Sequence, residues 1–269
     1  MARRPESQRR GWGRGLGLAA CVLLAGAADV AWPAPARGIA AAVGQIDDRQ
    51  VRRQMRYQDL LQLSADRLGR GQLDEALRHA RAAERLFPDR AEALTMQAVV
   101  LAERGQSDAA GALYRRATVL APGDGDVLNN YGAWLCGSGF PAEALVWLDR
   151  ALAATPPEAR ASALANAGGC ALQAGQRERA GRDLQQALAL APDNAYALEA
   201  MARNEYELGR YFEARAFYQR RLAAAPASAS VLQLAADIEN RLGDRDASSH
   251  YQQRLREEFP LAAATTPEG

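Results

Sequence analysis

The chain has 269 residues, enough for one large domain or an array of small units, and Ala and Leu dominate it while aromatics make up only 6%, so helix is the favoured state. All 33 basic residues are arginine, which excludes chemistry that needs a lysine amine, such as a Schiff base or a P-loop. Five of those arginines and one acid fall in residues 1–20, leaving 28 arginines against 31 acids; a body this slightly acidic has no electrostatic footprint for nucleic acid.

The N-terminus reads as an export signal. The basic stretch MARRPESQRRGWGR precedes GLGLAACVLLAGAA, an apolar run of 14 residues, too short to span a bilayer and suited to a signal segment. Two processing routes fit residues 1–27. LAAC at 18–21 has the form of a bacterial lipobox, in which Cys21 becomes a lipidated first residue and lipid anchor. The other route is ordinary cleavage after Ala25-Gly26-Ala27 or Ala34-Pro35-Ala36. Residues 28–50 are rich in Ala, Pro and Gly at their start and suit a flexible tether, with Asp47 or Asp48 available to cap a first helix.

From there an internal repeat organises the chain. Prolines close similar segments at Pro88, Pro122, Pro156, Pro192, Pro226 and Pro260, with spacings of 34, 34, 36, 34 and 34. The two extra residues, Pro157 and Glu158, follow a repeat end, where a loop can absorb them. A glycine stands 17 residues before each proline, at Gly71, Gly105, Gly139, Gly175, Gly209 and Gly243, where it can turn the chain between two helices. Two columns of small residues let the paired helices approach closely: Ala76, Ala110, Ala144, Ala180, Ala214 and Ser248 in one, Ser64, Ala98, Gly132, Gly168, Ala202 and Ala236 in the other. Leu94, Tyr114, Leu120, Leu148 and Tyr218 are expected to fill the seam. A period of 34 belongs to the tetratricopeptide (TPR) repeat. The fold expected is all-α: an α-solenoid of six TPR hairpins in a right-handed superhelix, within 51–260, followed by a disordered tail at 261–269.

Chemistry is sparse along this array. His79 and His250 lie on the second helices of the first and last repeats, neither in a metal-ligand pattern. No polar constellation, metal site or cofactor motif is present, so a non-enzymatic role is expected. A solenoid instead offers a concave surface lined by its first helices, suited to a peptide or a partner's helix. Alignment on the period places Asn129, Ala133, Cys136, Tyr196, Glu199, Arg203, Tyr206, Asp237 and Asn240 there. Cys136 and Cys170 fall on successive first helices, close enough in register for a disulfide if their α-carbons lie within about 7 Å; the alternative is a pair of small buried thiols.

Several segments resemble a known family, the type IV pilus biogenesis/stability proteins (PilF/PilW): VLNNYGAWLCGSG at 127–139, ANAGGCALQAG at 165–175, ALEAMARNEYELGRYFEARAFYQR at 197–220 and GDRDASSHYQQRLREEFP at 243–260. The resemblance implies an outer-membrane pilotin lipoprotein that helps the pilus secretin reach the outer membrane and form its multimeric ring, supporting twitching motility. It implies Cys21 as the lipidated anchor, with Val22 after it fitting outer-membrane sorting, and Cys136 with Cys170 as a bridged pair. Asn129, Asn130, Tyr131 and Gly132 would mark its third-repeat motif, the asparagines placed to meet a partner or cap backbone groups and the other two packing. A monomer facing the periplasm is expected. An exported TPR scaffold for another envelope-assembly or cytochrome-maturation complex is the alternative.

Overall fold

The computed structural model describes residues 48–263; Cys21 and the expected signal segment lie outside them. The described residues form twelve helices in six antiparallel hairpins: α1 (Asp48–Gly69) with α2 (Leu73–Leu86), α3 (Ala91–Glu103) with α4 (Ser107–Leu120), α5 (Gly125–Gly137) with α6 (Pro141–Ala154), α7 (Ala161–Gln173) with α8 (Arg177–Leu190), α9 (Ala195–Glu207) with α10 (Tyr211–Ala224), and α11 (Ala229–Leu242) with α12 (Arg245–Glu258). One further turn, α13 (Pro260–Ala263), closes the array. This is an all-α TPR solenoid.

Every hairpin turns on its periodic glycine. All six have φ between 71° and 88°, the left-handed region that side chains with a Cβ enter at a cost. The turn also satisfies the carbonyls at the end of the first helix, as where Gly71 N–H donates to Leu68 O (2.9 Å) and Gln72 N–H to Arg67 O (2.8 Å). Several first helices carry side-chain caps: the Asp124 carboxylate accepts from the backbone N–H of Asp126 and Val127, Asn194 from Ala197, and Ser228 from Val231.

The two small columns meet within each hairpin. A methyl group added to Gly132 would lie 2.7 Å from Leu148 Cγ and 3.2 Å from Ala144 O. The terminal repeats use a serine at the same junction. Ser64 Oγ on α1 donates to Ala76 O on α2 (2.8 Å), and Ser248 Oγ on α12 donates to Ala236 O on α11 (2.9 Å). The same two columns are thus bridged from opposite sides at the two ends of the array. Leu94, Tyr114, Leu148 and Tyr218 are buried as expected, but Leu120 is 42% exposed. It is the last residue of α4, and the inward position of that turn belongs to Ala117, which is fully buried.

Between hairpins a second recurring device appears. Arg150 on α6 donates to Pro122 O (3.4 Å) and Arg220 on α10 to Pro192 O (2.9 Å), each lying over an aromatic ring of its own helix, Trp147 and Phe217. The two-residue insertion is absorbed by a 3-10 turn at Pro157–Ala159, with Arg160 Nε donating to Thr155 O (2.8 Å). Two expected boundaries move. α1 begins at Asp48, inside the segment assigned to the tether, and its first turn carries an Asp48–Arg52 ion pair. The tail assigned to 261–269 starts with the helical turn of α13.

The odd-numbered helices of successive hairpins, α1, α3, α5, α7, α9 and α11, touch one another along the array, whereas the even-numbered helices pack mainly onto their own partner and the next first helix. Closer spacing on one side bends the stack toward that side, so the odd helices line its inner face.

Candidate functional site: the inner face

Asn129, Asn130, Ala133 and Cys136 sit on α5, Tyr196, Glu199, Arg203 and Tyr206 on α9, and Asp237 and Asn240 on α11. All are therefore on odd helices. The structure brings three of them to one cleft of about 380 Å³ between α7 and α9, where Tyr196, Glu199 and Arg203 face Gly169, Leu172 and Gln173. Tyr196 is 48% exposed, yet its hydroxyl lies against the backbone at Gly169, where a methyl group would collide with it. That burial of the hydroxyl, with Glu199 nearby, pushes its pKa up. The side chain is thus half exposed with its hydroxyl seated against α7, the arrangement of an amphipathic anchor.

Glu199 plays a different part from the one its register suggests. Its carboxylate accepts from Ser230 Oγ (2.5 Å) and Ser228 Oγ (3.5 Å), and lies 3.4 Å from Arg221 Nε as an ion pair. Arg221 is itself buried and donates to Ala225 O (3.2 Å) and Pro226 O (3.0 Å). Glu199 consequently ties α9 to the end of α10 and the start of α11, and the α9 wall also carries Arg203, which is exposed, and Glu207.

Farther along, burial raises the Asp237 carboxyl above its ordinary 3.8, opposed by the hydrogen bond from Gln233 and by Arg203 and Arg241. Arg241 is raised in turn, first by its hydrogen bond with Tyr206. Tyr206 packs on Tyr211 with ring centroids 5.6 Å apart, and Asn240 is exposed at the outer end of α11. Asp237, Arg203, Arg241 and Tyr206 form one polar strip that adjoins the cleft.

Asn130 lies apart from these, in a smaller cleft of about 270 Å³ between α3 and α5 that also presents Glu92, Asp124 and Asp126. Asn129 accepts a hydrogen bond from Asn166 Nδ2 on α7 (2.9 Å) and so joins two hairpins. Ala133 is half-buried on the same helix, and Tyr131 and Gly132 are buried in the packing. Cys136 and Cys170 are disulfide-bonded, with α-carbons 5.8 Å apart, and both are buried. Gly169, Leu172, Gln173 and Asn166 were missing from the residues expected here. The periodic signal for Asn166 was present, since it stands 26 residues before its closing proline, as Asn130 does.

Among the described residues no group of His, Cys, Asp or Glu side chains is placed to hold a metal ion, and no helix is long and apolar enough to cross a membrane. His79 on α2 is half-buried and His250 on α12 is exposed against Tyr251.

No protein-family model matches the sequence, and no curated protein matches it. Solved structures do. PilW, described as a widely conserved type IV pilus biogenesis factor, is 25% identical, with a TM-score of 0.67 over 78% of this chain and 97% of its own. The pilF protein of Pseudomonas aeruginosa is 26% identical, with a TM-score of 0.65 over 79% of this chain and 96% of its own. A thermophilic TPR protein of Thermus thermophilus is 25% identical, with a TM-score of 0.58 over 69% of this chain and 98% of its own. A TPR protein of Parabacteroides merdae, at 16% identity, shares the fold. The chain has the tetratricopeptide-repeat fold and resembles the type IV pilus biogenesis proteins PilW and pilF over most of its length.

Proposed function

We propose that this protein is a non-enzymatic adaptor of type IV pilus biogenesis, a pilotin that binds the pilus secretin on its inner face and promotes its localisation and multimerisation. The observation that carries the reading is the match to PilW and pilF, which extends over nearly the whole of both of those chains. The α7/α9 cleft supports a binding role: Tyr196 offers a half-exposed aromatic ring, Arg203 an exposed positive edge, and Leu172 and Ala200 an apolar floor. Aromatic and arginine side chains are the usual anchors of protein interfaces.

In this reading the chain is exported as a monomer and tethered to the outer membrane, facing the periplasm, by lipid on Cys21. Tethering contributes through concentration. Secretin subunits held on one membrane surface meet at an effective concentration far above that in free solution, which favours ring assembly without any new subunit contact.

The decisive experiment compares outer membranes with and without this gene for heat- and detergent-resistant secretin multimer, with secretin monomer quantified in the same samples. Loss of multimer while monomer persists is expected; multimer unchanged in the deletion would overturn the pilotin role. On purified proteins, Arg203→Glu or Tyr196→Ala should weaken secretin binding about tenfold, a loss of about 1.4 kcal/mol, with the helical fold retained.

A further inference from the structure

On the opposite side of α9 from the Tyr196 cleft lies a second opening, about 570 Å³, walled by α8 and α10 and floored by α9. Asn204 is part of that floor. It is fully buried, and neither its Oδ1 nor its Nδ2 has a hydrogen-bond partner among the described residues. A buried primary amide with all its bonds unmade is costly and needs an explanation.

The repeat supplies a control. Asn204 stands 22 residues before its closing proline; the same place holds Asp66, exposed, in the first repeat, and Val100, Trp134, Cys170 and Ile238 in the repeats that have another before them. Three of these are buried apolar residues, and Trp134 is half-buried. The column facing it, 11 residues before the preceding proline, reads Leu77, Gly111, Leu145 and Gly181. Leu77 and Val100 are packed in one core, as are Leu145 and Cys170. Gly111 leaves a gap that the Trp134 indole occupies so fully that a methyl group there would collide with the ring. Gly181 leaves the same gap, but the residue opposite is only Asn204, and a methyl group on Gly181 would sit 3.4 Å from Asn204 Nδ2 in ordinary contact. Both sides of this one joint are therefore cut back, and a polar group stands where its neighbours are apolar.

The surroundings narrow what fits. Met201, Leu208 and Phe217 give apolar wall, while Arg177, Arg182 and Arg210 are balanced by Glu178, Glu205 and Glu213. Two of these arginines are already committed, Arg177 to Glu207 and Arg210 to Glu205. With no net charge to attract an anion or a cation, the complement is a neutral group. A primary amide pairs best with another amide, since each presents one donor beside one acceptor.

We propose that this cleft is a docking site for a neutral peptide segment of a partner protein. On docking, the Asn204 side chain turns from its buried position toward the cleft, one amide of the segment pairs with it, and a flanking apolar or aromatic side chain takes the space over Gly181 that Trp134 fills over Gly111. The site is on the outer side of the array and is independent of secretin binding on the inner face.

The test uses the isotopically labelled full chain and N-acetyl-tryptophanamide, a neutral probe that carries an indole and two amide groups. The Asn204 side-chain amide resonances should shift and saturate in the millimolar range, and the Gly181→Leu variant, which closes the gap, should abolish the response. Independently, Asn204→Val should raise the thermal midpoint by about 3–8 °C, because it replaces a partnerless amide with the apolar residue type of its column. No shift up to the solubility limit of the probe, or the same shift in Gly181→Leu, would overturn the proposal. So would a lower midpoint for Asn204→Val, which would mean that buried water already satisfies the amide.

Discussion

The disulfide between Cys136 and Cys170 yields the sharpest stability prediction. The bridge closes 34 residues of chain, running through α6, the inserted 3-10 turn and most of α7. In the chain-entropy account, ΔS is about −2.1 − 1.5R ln n, which for this loop gives about 3.8 kcal/mol at 25 °C. For a body of this size each kcal/mol moves the thermal midpoint by about 2–4 °C, so reduction should lower it by about 8–15 °C. The assay is the helical circular-dichroism melt of the oxidised protein with and without a phosphine reductant, with a Cys136→Ala/Cys170→Ala double variant as control. The control should melt at one temperature in both conditions, near the reduced wild type. Because repeats contact only their neighbours, the lost constraint acts first on the joint of the third and fourth hairpins, and a broadened, two-step melt on reduction is expected. A gap under about 2 °C between oxidised and reduced wild type would refute the reasoning.

Gly132→Ala should destabilise by about 1–3 kcal/mol in urea unfolding, because its methyl group arrives 2.7 Å from Leu148 Cγ beside the Ala144 carbonyl, and neither can retreat without opening the hairpin. Ser64→Ala and Ser248→Ala should each cost about 1 kcal/mol, and the double variant should cost their sum, since the bridges lie at opposite ends of the array. Asp237 gives a pH prediction. Its folded carboxyl titrates above 3.8 because of burial, so the protonated form favours the fold, and that contribution is lost as pH rises through the window just above 3.8. Asp237→Asn should therefore gain stability over the wild type as pH goes from 3 to 7; a constant or shrinking difference in midpoint would contradict the assignment.

The period made the hairpins legible because it marks positions whose backbone demands recur. Six glycines at one offset require six left-handed turns, and six small pairs require six close helix contacts; both requirements belong to a position, whatever its neighbours. What the period cannot carry is the pairing of one side chain with another. Glu199 shares the register of the inner face, yet its carboxylate is spent on Arg221, Ser228 and Ser230, residues whose relevance appears only when α9, α10 and α11 are packed together. Leu120 looks like core in the sequence and lies outside because Ala117 already holds the inward place in the last turn of α4. Asn129 was expected to meet a partner or cap backbone groups, and its oxygen instead accepts from Asn166 of the next hairpin.

These pairings divide the array by stiffness. At the joint of the third and fourth hairpins stand the disulfide and the Asn129–Asn166 bond, and the third hairpin beside it holds the stacked rings of Tyr131 and Trp134, with centroids 5.8 Å apart. The next joint, between the fourth and fifth, is the one opened on both sides, with the Tyr196 cleft against α7 and the Asn204 cleft against α8 and α10. α9 is common to both: residues 196, 199 and 203 point one way and 201, 204 and 208 the other, as a 3.6-residue period dictates. A docking surface costs less to order when its support is already rigid. Placing the open joint directly after the stapled one gives α9 a fixed wall on one side, so that both clefts are bounded by a surface already held in place.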